Sequence, residues 1–142
     1  MTQAARSSRL RKLEAVAFHE ASHAIAHCYF KVPFRKATIR AREDYLGIVE
    51  GRRLGPKLIG RFSIGFPTPH DRERVEAVVM CLFAGKIGEH RFTGRWNHSG
   101  ARSDDEQATD LLFRLAGGSE DEVASYAKWL RVRATEAILS LK

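Results

Sequence analysis

The stretch 15–25, AVAFHEASHAI, gives the strongest indication of fold and chemistry in this chain. It contains His19-Glu20-Ala21-Ser22-His23, the pattern H-E-x-x-H, with no proline or glycine to interrupt it. Around the pattern, small and apolar residues recur at steps of three and four, which is the period of an α-helix. The sequence therefore predicts a helix over about 10–30, ended by Pro33.

The two histidines of the pattern are one helical turn apart. Positions i and i+4 lie on the same face of a helix, so His19 and His23 can reach one cation. Glu20 is offset by one residue and would stand beside the metal, where it can accept a proton from metal-bound water. The alternative is a polar stripe on a surface helix, and the small residues Ala21 and Ser22 favour the metal site over it.

The remainder of the chain predicts a mostly α (α+β) domain. Two short strands, over 34–40 and 45–50, form a hairpin with its turn at Glu43-Asp44. Segment 51–68 is rich in glycine and proline, and is predicted to be loop with at most one short strand near Phe62. N-caps are expected at Thr68, Ser103 and Ser119, the latter two as capping boxes. The later helices are predicted over about 69–93, 103–115 and 120–141.

Length and composition bound the domain organisation and location. The chain has 142 residues, which predicts a single domain over 1–142, with 1–8 as a flexible basic arm. Two cysteines are too few for a disulfide scaffold, and neither a membrane span nor a signal peptide is expected. These features predict a cytoplasmic protein. There is no G-x-x-x-x-G-K-[ST] loop, so the sequence carries no ATPase motif of that kind.

The net charge of +7 and a sequence pI near 9.8 allow binding to acidic partners. Nucleic acid is not expected to be one of them, because Trp96 and Trp129 are not interleaved with basic residues as a base-stacking surface requires.

A catalytic zinc ion needs a third protein ligand and an open position for water. His27 is one turn beyond His23, but a straight helix carries it past a single metal, so it is expected to be a surface or packing histidine. Asp104 is an attractive third ligand because it opens a helix after a glycine-containing loop, although aspartate also favours helix N-termini without binding metal. From the residues alone the candidates are Glu73, Glu76, Glu89, His90, His98, Asp104 and Asp105.

Several segments of the sequence, in addition to the H-E-x-x-H pattern, resemble those of a known family. Segment 15–25 is similar to the zinc-site helix of FtsH-type peptidases, the M41 family, which typically reads V-A-x-H-E-A-G-H-A. Segments 36–40 and 46–49 resemble that family's K-V-T-I-x-P-R … L-G-Y-T hairpin, and 84–89 resembles G-G-R-A-A-E. Segment 100–110, GARSDDEQATD, resembles G-A-S-N-D-L-E-R-A-T-D. The resemblance covers about 10–116, in the family's order.

This resemblance implies a zincin-like helical domain and assigns roles to single residues. His19 and His23 match the family's histidine ligands, Glu20 its general base and Asp104 its third ligand, with one Zn²⁺ per chain. Glu89 matches a glutamate near the site, where we expect it to support a ligand by a hydrogen bond and not to bind metal itself.

Several positions depart from the family pattern. Ser22 replaces a glycine, His90 replaces a second glutamate, and 51–68 has no clear counterpart. The family's membrane helices and AAA+ ATPase module have no counterpart in this sequence. The site would therefore act on chains that are already extended, or depend on a separate ATPase partner. A homo-oligomer is also compatible with the resemblance.

The expected function is zinc-dependent endopeptidase activity on extended or unfolded polypeptide. Such a substrate would pair with the edge of the second strand, for which the candidate residues are Leu46, Gly47, Ile48 and Val49. Two alternatives stay open at this stage: a non-catalytic regulatory or adaptor protein that contains zinc, and a basic nucleic-acid-binding domain in which H-E-x-x-H occurs by chance.

Overall fold

The computed structural model describes residues 3–40, 47–51 and 54–140. Over these residues the chain forms five helices and a two-stranded antiparallel sheet, so the predicted mostly α class with a small sheet is confirmed. The elements in chain order are α1 (Gln3–Tyr29), β1 (Phe34–Thr38), β2 (Ile48–Gly51), α2 (Pro56–Ser63), α3 (Pro69–Thr93), α4 (Arg102–Ala116) and α5 (Glu120–Leu139).

Helix α3 is the centre of the molecule and packs against α1, α4 and α5. It begins where the sequence predicts, with Thr68 as N-cap: the Thr68 hydroxyl accepts from the Asp71 N–H, and the Asp71 carboxylate accepts from the Thr68 N–H. It ends at Gly94, whose φ of 72° is the left-handed conformation that glycine adopts without strain. The largest fully buried side chains of the core are Val75, Val79, Cys81, Leu112 and Leu130.

Helices α1 and α3 approach each other closely through small residues. A Cβ added at Gly88 would overlap the Ser22 hydroxyl, so a larger residue there would force the helices apart. The Ser22 hydroxyl donates instead to the Phe18 carbonyl at 2.7 Å, within its own helix. This close contact places the H-E-x-x-H face of α1 directly against α3.

The strands form the predicted antiparallel pair, with Ala37 opposite Val49 and Thr38 opposite Ile48. The register shifts between Phe34 and Lys36. The predicted turn at Glu43-Asp44 and the predicted strand residue Leu46 lie outside the described residues. The sheet contacts α1, which brings β2 beside the H-E-x-x-H segment.

The predicted start of the first helix near residue 10 is wrong, because α1 begins at Gln3. Residues 3–8, which the sequence assigns to an arm, are therefore helical. All side chains over 3–12 are exposed to solvent, so these turns carry no apolar stripe to reveal them. Their alanine and arginine residues have high intrinsic helix propensity, which the reading by apolar period does not count.

The prediction of loop over 51–68 is wrong for 56–63, which form α2. Pro56 occupies the first turn, where its missing N–H and fixed φ are tolerated. Gly65 follows the helix with a φ of 79°. The proline and glycine thus mark the two ends of a short helix. Leu58 anchors it, with only 3% of its surface exposed.

The predicted capping box at Ser103 is also wrong. Helix α4 begins one residue earlier, at Arg102, and its N-cap is Ala101, which makes no side-chain cap. Glu106 receives a hydrogen bond from the Arg102 guanidinium at 2.8 Å. The N-cap at Ser119 is confirmed, with the Glu122 N–H donating to the Ser119 hydroxyl.

Over the described ranges, no helix combines the length and the apolar character needed to cross a membrane.

Candidate metal centre

Two imidazole rings from α1 face α3 at the centre of the candidate site. His19 and His23 are both buried, and both use Nδ1 to donate a hydrogen bond. The partner of His19 is the Glu89 Oε2 at 2.9 Å, and the partner of His23 is the Cys81 carbonyl at 2.7 Å. A carbonyl only accepts, and a carboxylate accepts whenever it is ionised. In the neutral rings the proton is thus on Nδ1, and both Nε2 atoms present lone pairs.

The two Nε2 atoms converge with one carboxylate oxygen. The two Nε2 atoms lie 3.1 Å apart. The Asp104 Oδ2 is 3.3 Å from the His19 Nε2 and 3.2 Å from the His23 Nε2. Ligand atoms about 2.0–2.1 Å from a tetrahedral zinc ion lie about 3.3–3.4 Å from each other, so this triangle is close to the size of a tetrahedral zinc site and slightly smaller. When both rings are neutral, no proton lies between these three atoms, and each of them presents a lone pair. A bound cation would accept all three lone pairs at once.

Asp104 reaches the histidines from the first turn of α4. That turn rests on α3, where the Lys86 ammonium donates to the Asp105 carboxylate at 2.7 Å. Residues 94–101, the loop between α3 and α4, allow α4 to start beside the α1 histidines. The site therefore combines side chains that are 81 and 85 residues apart in sequence.

The electrostatics of the cluster favour positive charge. Burial acts to raise the pKa of Asp104, but the two histidine rings, which donate to its carboxylate when they are protonated at Nε2, outweigh it and hold that pKa well below its usual range. Burial acts to lower the pKa of His19, but the protonated ring donates to both Asp104 and Glu89, and these hydrogen bonds outweigh burial and raise that pKa. Both directions mean that these side chains stabilise a cation among them.

Glu20 is buried beside the histidines. Burial raises the pKa of its carboxyl group, and the opposing effects of the His23 and His19 rings are smaller. The backbone of Val49 in β2 also acts to lower that pKa, and its effect is smaller still. Glu20 lies beside the ligand triangle but contributes none of its three atoms. This is the position expected for a base and not for a ligand.

The predicted substrate strand lies next to Glu20. A Cβ at Gly47 would stand 2.7 Å from the Glu20 Cγ and 2.9 Å from the Val16 Cγ1, so only glycine allows this backbone to approach α1 so closely. Ile48 and Val49 continue from it as half-buried residues of β2. The fourth candidate, Leu46, is outside the described residues.

The other ligand candidates are not in the cluster. Within the described ranges, the group of three or more metal-binding side chains that converge on one point is His19, His23 and Asp104. Asp105 pairs with Lys86, Glu76 receives the Tyr126 hydroxyl, and the His90 ring stacks on Trp96. His27 donates to the Val32 carbonyl at 2.9 Å, a packing role of the kind the sequence predicts. The remaining candidates, Glu73 and His98, are exposed.

Glu89 has the supporting position that the resemblance implies, because one of its oxygens accepts from His19. Its other oxygen accepts from the Asn97 amide at 2.8 Å, a contact that the sequence reasoning missed. Gly85 was missed as well. A Cβ there would stand 2.6 Å from the His19 Nε2 and would also overlap the His23 ring. A glycine inside a helical pattern is the signal that could have indicated this close approach.

Comparisons with known proteins do not assign the chain to a family. No family model matches the chain, and no curated protein matches it significantly.

Proposed function

We propose that this protein is a zinc-dependent endopeptidase that hydrolyses extended or unfolded polypeptide, with one zinc ion per chain. The observation that carries the proposal is the convergence of three lone pairs, from His19, His23 and Asp104, beside the buried Glu20. Three protein ligands of the histidine and carboxylate type are typical of catalytic zinc sites. The resemblance of 10–116 to FtsH-type peptidases supports the same metal and the same zincin-like fold.

Bound zinc would supply a coordinated water of pKa about 7 and polarise the scissile carbonyl. Glu20 would accept the proton of the attacking water as its oxygen bonds to the carbonyl carbon. The same carboxyl group would then give that proton to the amine nitrogen as the carbon–nitrogen bond breaks. Glu89 would keep the His19 proton on Nδ1 throughout, so that Nε2 stays available.

An extended substrate would bind along β2, with Gly47, Ile48 and Val49 as its backbone partners. The support for this placement is the close approach of Gly47 to the Glu20 Cγ, which puts this strand next to the proposed base. Leu46 would continue the same strand. Pairing through main-chain groups accepts many sequences, as a peptidase for unfolded chains requires.

The decisive experiment combines zinc content with hydrolysis of an unfolded, fluorescently labelled casein, a substrate that makes an unfoldase unnecessary. We expect one zinc per chain and measurable hydrolysis for the wild-type chain. Glu20→Gln should retain the zinc and lose about 10²–10⁴-fold in rate, the usual contribution of a positioned acid–base group. Zinc content is measured by atomic spectroscopy.

The same data separate the alternatives. A non-catalytic zinc protein would hold one zinc and cleave nothing, in the wild type and the variant alike. A chance H-E-x-x-H pattern would hold no stoichiometric zinc, which would return a basic nucleic-acid-binding domain to consideration. If native proteins are cleaved only when an AAA+ ATPase is added, a separate motor partner is part of the function. Sedimentation of the zinc-loaded chain would test the homo-oligomer.

A further inference from the structure

Asn97 lies outside the ligand set but is connected to it. It is an exposed residue of the 94–101 loop, and its Nδ2 donates to the Glu89 Oε1 at 2.8 Å. The second oxygen of the same carboxylate, Oε2, accepts from the His19 Nδ1 at 2.9 Å. One buried carboxylate thus joins a loop amide on one side to a metal-facing imidazole on the other.

The orientation of the Asn97 amide is fixed by a second contact. Its Oδ1 accepts from the backbone N–H of Gly100 at 2.8 Å, so the oxygen faces the loop and the NH₂ group faces Glu89. Gly100 allows this arrangement because a Cβ there would overlap the Asn97 Nδ2 and lie 2.9 Å from its Cγ. The φ of Gly100 is not positive, so the glycine is needed here for space and not for backbone conformation.

The base of the same loop is also held. The Thr93 hydroxyl donates to the Glu89 carbonyl at 2.9 Å and receives the Arg95 N–H at 3.2 Å. The loop therefore leaves α3 in a defined direction next to Glu89. It then leads into α4, which carries Asp104 into the site.

We propose that Asn97 is a positioning residue for the metal centre: through Glu89 it fixes the His19 ring and its tautomer, and through the loop it links that ligand to Asp104. The proposal rests on the metal site of the proposed function. Its logic is that a carboxylate with only one of its oxygens held can rotate, whereas one held at both oxygens cannot. Groups that orient metal-binding histidines commonly change affinity by 10–100-fold when they are removed.

A purely structural role gives different expectations. Asn97 is exposed, so its truncation leaves no buried cavity, and a surface loop contact would change zinc affinity little. Ser99 offers a matched control, because it is exposed in the same loop and its backbone carbonyl accepts from the Arg102 N–H whatever its side chain is.

The test measures zinc affinity by competition with a chelator of known affinity. We expect Asn97→Ala to weaken zinc binding about 10–100-fold and Ser99→Ala to leave it unchanged. Because Asn97 acts through Glu89, Asn97→Ala should weaken binding much less in a Glu89→Ala background than in the wild-type background. Cobalt-loaded protein gives a second readout, since its visible spectrum reports ligand geometry and should change in Asn97→Ala but not in Ser99→Ala.

Gly100→Ala serves as a second variant, should Asn97→Ala fail to fold, since the added methyl displaces the amide without deleting it. Equal zinc affinity in Asn97→Ala and wild type, or full additivity with Glu89→Ala, would overturn the proposal. A wild-type chain that binds zinc but cleaves nothing would overturn the peptidase assignment alone. A wild-type chain that binds no zinc would overturn both.

Discussion

Gly85 gives the candidate centre its space. Its position on α3 faces both α1 histidines, and a Cβ there would lie 2.3 Å from the His23 Nε2 and 2.6 Å from the His19 Nε2. Interiors are packed closely enough that a single methyl group matters. The absence of a side chain at this position is therefore as much a part of the site as the ligands.

Gly85→Ala should abolish tight zinc binding. We expect zinc affinity to fall by more than about 100-fold, which is at least as much as removal of a group that orients a ligand costs. The methyl group would contact the His19 and His23 rings where they face the cation. Titration with a chelator competitor measures the effect, and circular dichroism checks that the helices persist. Gly60→Ala is the control, because a Cβ at Gly60 in α2 meets nothing within 4 Å. Equal affinities in both variants would contradict this account of the centre.

At this scale the sequence was informative about α1 and less so about the other elements. Helical spacing places His19, Glu20 and His23 from local information. Asp104 is 81 residues from His23, and the residues alone left it among several acidic and histidine candidates. Only the resemblance selected it. Asn97 could not be found, since its role depends on a contact with Glu89 that no local pattern encodes.

At the scale of elements, a charged pair joins α2 to the first turn of α3. Arg61, near the end of α2, donates to both oxygens of Asp71 in the first turn of α3, with distances of 2.6 and 2.5 Å. Asp71 also caps α3 through the Thr68 N–H. These hydrogen bonds, with the Arg61 contact the largest, hold the pKa of Asp71 well below its ordinary value.

This shift predicts a dependence of stability on pH. In the unfolded chain Asp71 titrates near its ordinary pKa of about 3.9, so as pH falls below about 5 the unfolded state takes up protons before the folded state does. The stability that Asp71 contributes is complete above that range and is lost as pH falls through the folded-state pKa. Urea unfolding of wild type and Asp71→Asn with a chelator present should therefore show a difference that narrows toward low pH. A constant difference from pH 7 to pH 3 would argue against this.

The elements also show why some boundaries were mispredicted. In 51–68 the density of glycine and proline concealed α2, because Pro56 begins and Gly65 follows a helix that is only 8 residues long. For α4, the Ser103-Glu106 spacing indicated a cap that the chain does not use. The helix begins at Arg102 instead, and Asp105 in its first turn pairs with Lys86 of α3, a tertiary contact that no local pattern encodes.

At the scale of the whole molecule, the candidate centre connects α1 to α4 across α3. A cation held there by His19, His23 and Asp104 would bind the folded chain and not the unfolded one. Ligand binding of this kind stabilises a fold by an amount that grows with the logarithm of ligand concentration.

Zinc should therefore raise the unfolding temperature in a concentration-dependent way. The free energy of unfolding should increase by about 2.7 kcal/mol when free zinc is 100 times its Kd. Asp104→Ala should lose most of this increase. Asp110→Asn, an exposed change on the same helix, should keep it. Calorimetry with and without chelator is the measurement. An Asp104→Ala chain stabilised as strongly as wild type would show that the third ligand is another residue.

The exposed start of α1 has a dynamic consequence. Over 3–12 every side chain of this helix is exposed to solvent, whereas the buried side chains of the helix, among them His19 and His23, lie between residues 19 and 26. Local opening costs little where few apolar contacts are lost. Amide hydrogens should consequently exchange with deuterated solvent quickly in the first turns and far more slowly around His19 and His23. A single continuous helix would then have a fast and a slow part, and the slow part is the one that carries the histidines.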